Sequence, residues 1–503
     1  MAGVVAAGHP RTAEAGARVL AEGGNAVDAA VAAVLASFAV ESPLTGFGAG
    51  GYMIVATPGA AEVTLLDFFV AAPGLDGIER GTELVGVPVR FDAETEQVFY
   101  VGPASCGVPG TAAGLVGALE LFGSAPLADL VGPAIALARD GAPVNHQQAY
   151  ILDILEPIHM RLEGTRELYA PQGWTLREGE TFRFPELAEA LERFAAEGAE
   201  PFYRGEVAAA LSEFVVAHGG TLGPKDLATY EALGRRPIAA PFRGAEVLTN
   251  PPPSSGGILI AYCLGLLERL GESCGPEQLV AAMGAANDLR DLEFAESLYE
   301  EGMEAGVLDP GGLDLAAASL LGSTTHVSVI DGAGTSAAVT CSNGSGSGVL
   351  VPGTGVILNN MLGEEDLNPL GFHRIAPGRR VPSMMAPTIV RRRGEVELVL
   401  GSAGSNRIRS AILQTVVRVV EQGLPVADAV RAPRLHFEGG VVQAEPGIDP
   451  EALVRLEARG VAVARWPEIN LFFGGVQAVA RDPRTGALSG GGDPRRGGAV
   501  AEA

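Results

Sequence analysis

Apolar and polar positions alternate with two different periods along this chain. Residues 11–22 carry an Ala/Glu-rich helical pattern that stops at Gly23-Gly24-Asn25. Residues 26–39 are nearly all Ala and Val, which predicts a helix apolar on every face, with Asn25 as its cap. A glycine-rich run at 46–51 leads into predicted strands at 52–56 and 62–68. Helical patterns follow at 110–122, 126–140, 147–161, 184–197 and 205–217, parted by Gly and Pro. An extended segment at 235–249 runs into Pro251, Pro252 and Pro253. Ser254-Ser255-Gly256-Gly257 then opens a predicted helix at 258–270, and another covers 276–300. Past residue 324 the pattern turns to strands, at 325–331, 335–342, 386–392, 395–400 and 475–481. Helices at 404–421 and 450–459 lie among them. Strands early and late with helices on both flanks predict an α/β (α+β) chain of two packed sheets between helical layers.

Composition narrows the function. At 503 residues the chain exceeds the usual single core, so one large domain or two intimate ones are expected. The 69 glycines have no fixed period and point to tight turns and close backbone approaches. A net charge of −25 argues against nucleic-acid and anionic-membrane partners. Cys106, Cys263, Cys274 and Cys341 lack metal-ligand spacing, so buried thiols are expected, and neither metal nor cofactor. The glycines of 46–51 precede a strand and no Lys-Ser/Thr, which removes a phosphate loop. The first residues have no basic segment and no long apolar run, and 29–40 is too short to span a bilayer; a cytoplasmic, membrane-free protein is the expectation.

Chemistry concentrates at 320–331, Leu-Leu-Gly-Ser-Thr-Thr-His-Val-Ser-Val-Ile-Asp. A lone threonine at a strand's mouth ordinarily supplies β-propensity. It becomes a nucleophile carrying its own base if the chain is cut before it, because the freed α-amine can accept the hydroxyl proton. The preceding residues 301–323 are Gly-, Asp- and Ala-rich, and a mobile segment is expected there.

Thr324-Thr325-His326 with Asp331 resembles the processing site of the γ-glutamyltranspeptidase family of N-terminal-nucleophile hydrolases. The resemblance extends through 23–30, 251–257, 474–477 and 493–496. It implies a four-layer αββα sandwich. It also implies cleavage between Ser323 and Thr324 into a large fragment, 1–323, and a small one, 324–503, of one intertwined domain. The two fragments would then be each other's partner, with a homodimer of the processed pair as a further expected assembly. Carried over residue by residue, Thr324 is the nucleophile and Ser342 its hydrogen-bond partner. The amides of Gly404 and Ser405 form the oxyanion hole, where the family has Gly-Gly. The family's substrate-contacting Asn falls at Gly344 by direct register, and Asn343 is its expected stand-in. Glu364 and Glu365 are candidates for the carboxylate that meets the substrate's α-amine. Ser383 matches the first of a serine pair and Met384 replaces the second. Phe69 stands where the family places an Arg that clamps the α-carboxylate, and Arg374, Arg379 and Arg380 are the cations that could replace it.

The implied function is a self-processing γ-glutamyltransferase or γ-glutamyl hydrolase acting on glutathione-like amides or peptides. The alternative is an amidohydrolase or acylase of the same scaffold acting on another acyl group. A non-catalytic binding protein is the third reading, and intact Thr324, Ser342 and Gly404 argue against it.

Overall fold

The computed structural model describes residues 3–90, 96–271, 273–308 and 324–503. Ser323 and the expected mobile segment from 309 lie outside the described residues; 303–308, within the same expectation, is helical.

The chain opens with a strand that the pattern did not reveal, β1 (Gly3–Ala7), buried along its whole length. Helix α1 (Pro10–Ala21) follows, then α2 (Ala26–Val40), in which every residue is buried. Asn25 caps α2 as expected, accepting from the Val27 and Asp28 amides, while the Asp28 carboxylate accepts the Asn25 amide. The strands are β2 (Gly50–Ala56), β3 (Thr64–Phe68), β4 (Leu233–Arg235), β5 (Ile238–Phe242) and β6 (Ala245–Thr249). Helix α3 (Ser255–Leu270) comes next, then β7 (Thr325–Asp331) and β8 (Ser336–Ser342). Strands β9 (Thr388–Arg392) and β10 (Glu395–Ala403) precede helix α4 (Arg407–Val420). The chain ends with β11 (Gly475–Arg481), β12 (Leu488–Gly492) and β13 (Ala499–Glu502).

These strands form two antiparallel sheets, ordered β13-β1-β7-β8-β2-β3-β4 and β12-β11-β10-β9-β6-β5. Side-chain alternation divides each strand between two layers. Val5, Ala7, Val327 and Val329 pack with α1 and α2 on one face of the first sheet. Val4, Ala6, Ile330 and Ala338 pack on the other, against the second sheet. Helices α3 and α4 cover the far face of that second sheet, completing the αββα sandwich.

Several expected helices are shorter or broken. The pattern at 276–300 divides into Pro276–Asp288 and Leu292–Ser297. That at 147–161 breaks at Leu155, just before Pro157. The segment 235–249 contains two strands and the end of a third rather than one. Glycines between α2 and β2 act through close approach: a Cβ on Gly51 would lie 2.2 Å from the Thr340 carbonyl oxygen, and one on Gly48 2.0 Å from that of Ile357. Among the described residues no helix is long and apolar enough to cross a membrane. All four cysteines are free and buried, and burial pushes the Cys106 and Cys263 thiols up to about 12.

Candidate active site

Strand register builds the centre of the site. In the β7–β8 pair Thr325 lies opposite Cys341, so the next pair toward the mouth is Thr324 and Ser342. The Thr324 hydroxyl donates to Ser342 Oγ at 3.4 Å, and the Gly344 amide donates to the same oxygen at 2.9 Å. Ser342 in turn lies opposite Gly50 of β2.

The mouth of β7 is anchored from two sides. Thr325 Oγ1 donates to the buried Glu41 carboxylate at 2.5 Å, which also accepts Thr12 Oγ1 at 2.8 Å. Burial raises the Glu41 pKa, opposed by these two hydroxyls and by the Arg496 guanidinium. His326 points between the sheets, where its ring nitrogens bond Thr340 Oγ1 at 2.7 Å and Ser328 Oγ at 2.9 Å. A Cβ on Gly401 would touch this ring at 2.3 Å. Burial pulls the imidazole down to about 3, so His326 is neutral and structural. Asp331 closes the other end of β7: it accepts the Ala26 amide at 3.0 Å and the Ala333 and Thr335 amides at 2.9 Å each. The 23–30 block and β7 are thereby joined.

A narrow cleft with about 30 Å³ of water-accessible space opens beside Thr324. Phe69, Thr324, Ser342, Gly344, Glu364, Ser383, Met384 and Ser405 share its wall with Met361, Asp366, Leu367, Met385 and Ile408. The sequence reading therefore converges on one place, with exceptions. Gly344, and not Asn343, reaches the cleft, and both amide atoms of the buried Asn343 side chain lack a hydrogen-bond partner among the described residues. Of the two adjacent glutamates Glu364 lines the cleft, whereas Glu365 is exposed and outside it. Asp366, not singled out from the sequence, does line it.

The acidic turn is held from within. Glu364 accepts the Ser345 amide at 2.9 Å, and Asn368 Nδ2 donates to the Met361 and Glu364 carbonyls at 2.9 Å each. Burial, then the nearby Asp366 charge, pushes Glu364 up to about 8. Burial also raises Asp366, which accepts a short hydrogen bond from the Ser405 hydroxyl.

Gly404 and Ser405 form the turn between β10 and α4, with φ of 120° and 49°. Their carbonyls accept the Arg407 and Ile408 amides at 3.0 and 2.9 Å, starting the helix. The second position of the expected glycine pair thus keeps the left-handed backbone although it carries a side chain.

Phe69 is 1% exposed and stacks on Tyr52 with ring centroids 5.4 Å apart. The replacement cations do not reach the cleft. Arg380 Nε donates to Asp67 Oδ1 at 3.1 Å and its guanidinium covers the Tyr230 ring; Arg235 takes the other Asp67 oxygen at 2.6 Å. Arg379 lies over Tyr299, and Arg374 is exposed. Among the described residues no Lys, Arg or His lines the cleft.

Comparison with known proteins follows the same geometry. The sequence profile of the Gamma-glutamyltranspeptidase family matches residues 12–299 and 312–503. A glutathione hydrolase proenzyme of Escherichia coli (strain K12) is 32% identical, over 98% of this chain and 90% of that protein. An acylase ACY 1 proenzyme of Pseudomonas sp. (strain V22) is 33% identical, over 97% of this chain and 91% of its own length. The crystal structure of a cephalosporin acylase from Bacillus halodurans superposes with a TM-score of 0.84 at 27% identity, covering 99% of this chain and 95% of that one.

Proposed function

This chain belongs to the γ-glutamyltranspeptidase family, an enzyme family whose members include glutathione hydrolase and acylase proenzymes, and from that premise we propose that Thr324 is its nucleophile, freed by cleavage after Ser323. The observation that carries this reading is Thr324 at the mouth of β7, bonded to Ser342 and lining the cleft. In the precursor the Thr324 hydroxyl attacks the Ser323 carbonyl, the peptide shifts from nitrogen to oxygen, and water cleaves the ester. The new α-amine has an ordinary pKa of about 7.7–8.0, so its unprotonated fraction near neutral pH can take the hydroxyl proton. In turnover the same oxygen attacks a substrate amide carbonyl. The α-amine carries the proton to the departing amine, and water, or an acceptor amine, releases the acyl group. Amides at the Gly404-Ser405 turn, at the start of α4, stabilise the tetrahedral oxyanion. Ser342 Oγ orients the nucleophile's proton, and neutral His326 holds the floor between the sheets.

Within the family's two activities the wall of the cleft favours the acylase side. An α-carboxylate is stabilised by a bidentate guanidinium. Phe69 offers a ring instead, Arg235 and Arg380 are bound to Asp67, and the remaining charged lining is Glu364 and Asp366. A denaturing gel with N-terminal sequencing tests the nucleophile. Wild type should give two bands, the smaller starting at Thr324, and Thr324→Ala should stay one inactive polypeptide. A mature start elsewhere, or activity in that variant, would sink the assignment.

A further inference from the structure

The cleft wall holds two acids and, among the described residues, no cationic side chain. Glu364 is buried and Asp366 half-buried, and each has a raised pKa, so with the cleft empty the pair retains a proton near neutral pH. The Arg290 and Arg407 guanidinium groups act on Asp366 from outside the cleft wall, and the Asn360 and Ser345 side chains ease Glu364, yet burial still holds both acids above their ordinary pKa. Glu364 accepts the Ser345 amide, and Asp366 accepts the Ser405 hydroxyl. Around them the wall is apolar: Phe69, Met361, Leu367, Met384, Met385 and Ile408. Such a site selects by charge. An anionic acyl group would lose water beside two acids and gain no partner. A neutral one would meet only the methionines and Phe69. A cation brings what the pair lacks.

We propose that the cleft takes a short acyl group carrying a protonated amine and no carboxylate, of the 4-aminobutanoyl class, with the ammonium between Glu364 and Asp366 and the methylenes against Phe69 and the methionines. The inference rests on Thr324 as nucleophile. On binding, the retained proton leaves to solvent and both carboxylates face the ammonium; the acyl carbonyl then lies at Thr324. The thioethers suit an unbranched chain, because Met side chains adapt to irregular apolar shapes.

The test uses the processed wild-type protein and four 4-nitroanilides: 4-aminobutanoyl, butanoyl, glutaryl and γ-glutamyl, with spontaneous release subtracted. The 4-aminobutanoyl compound should exceed butanoyl in kcat/KM by at least about tenfold, the scale of a single charge-assisted contact. Glutaryl should be the poorest, and γ-glutamyl should fall below 4-aminobutanoyl. Glu364→Gln and, separately, Asp366→Asn should collapse the ratio of the first two substrates toward one. Equal rates for 4-aminobutanoyl and butanoyl overturn the inference and leave Thr324 standing. A γ-glutamyl preference, or turnover of none of the four by a processed protein, also overturns it. A chain that remains uncut and inactive removes the Thr324 reading as well.

Discussion

Ser405 holds a left-handed backbone angle of 49° that glycine adopts freely and other residues adopt at a cost of roughly 1–2 kcal/mol. Its hydroxyl on Asp366 offsets part of that cost and ties the Gly404-Ser405 turn to the acidic turn. Ser405→Gly should therefore process and turn over within about threefold of wild type, since the amide is kept, while Ser405→Val should lose most of both, because a β-branched residue resists positive φ. Cleavage half-time on a gel and initial rates separate the two, and a fully active Val variant would refute the geometry. At Ser342, removal of a neutral hydrogen bond worth about 0.5–1.5 kcal/mol predicts a roughly two- to tenfold loss of kcat/KM in Ser342→Ala; unchanged rates would exclude the hydroxyl from the site. Glu364 supplies a pH signature. A carboxylate raised to about 8 is neutral below that value, so an ammonium must displace its proton there and binds more weakly as pH falls. The charges around it are Asp366 and, acting on Asp366, Arg290, Arg407 and Glu438. The kcat/KM ratio of amine-bearing to neutral acyl amides should rise through pH 8, while the Thr324 amine, common to both substrates, cancels. A flat ratio would show that Glu364 does not meet the ammonium. Thr324 and Ser342 were singled out through the family resemblance, and the register of β7 and β8 brings them into contact. Asp366 was not, since its meaning comes from Ser405, 39 residues away. Asn343 stood one residue from the cleft because the turn after β8, with φ of 68° at Gly344, aims neighbouring residues differently.

At the level of elements, the start of α3 acts as a clamp. The Gly256 amide donates to the Ser383 carbonyl at 3.0 Å, and Ser254 Oγ donates to the Ser383 and Met385 carbonyls at 3.0 and 2.9 Å. Ser383, Met384 and Met385 all line the cleft, so this helix terminus positions part of its wall. The approach needs bare backbone: a Cβ on Gly257 would lie 2.1 Å from the Asn250 carbonyl oxygen, and one on Gly256 2.1 Å from that of Met384. Gly257→Ala should destabilise by about 1–3 kcal/mol, as overpacking does, and lower turnover. Gly265→Ala in the same helix meets nothing within 4 Å and should be neutral or stabilising by up to about 1 kcal/mol. Calorimetry of the pair decides; equal Tm values would contradict the close approach. The Ser-Ser-Gly-Gly block read correctly as a helix start near the site. What it grips was invisible, because the 383–385 segment is distant in sequence and joined through backbone groups that any residues would carry.

On the scale of the molecule, a cut at 323/324 would divide both sheets between two chains. In the first sheet β1 lies between β13 and β7, so an early strand is wedged between two late ones. Beyond β8, strands β2, β3 and β4 come again from the early part. In the second sheet the early β5 and β6 extend the late β9 to β12. This interleaving was only partly readable. The two-layer pattern was visible, but the short Ala/Val run of β1 and the Gly-rich β12 resemble turns until their partners are known. The consequence is mechanical. Pulling the fragments apart would break the β1–β7, β1–β13, β8–β2 and β9–β6 ladders together and expose buried faces such as Val5, Val329, Val390 and Val247. Local fraying cannot release such pieces one at a time. The processed protein should therefore elute as one species in native size-exclusion chromatography, and that species should give two bands on a denaturing gel. It should unfold in urea with a single transition, both fragments leaving together. Separation of the fragments in native buffer, or one fragment melting well before the other, would mean that the cut chain does not retain the interleaved sheets.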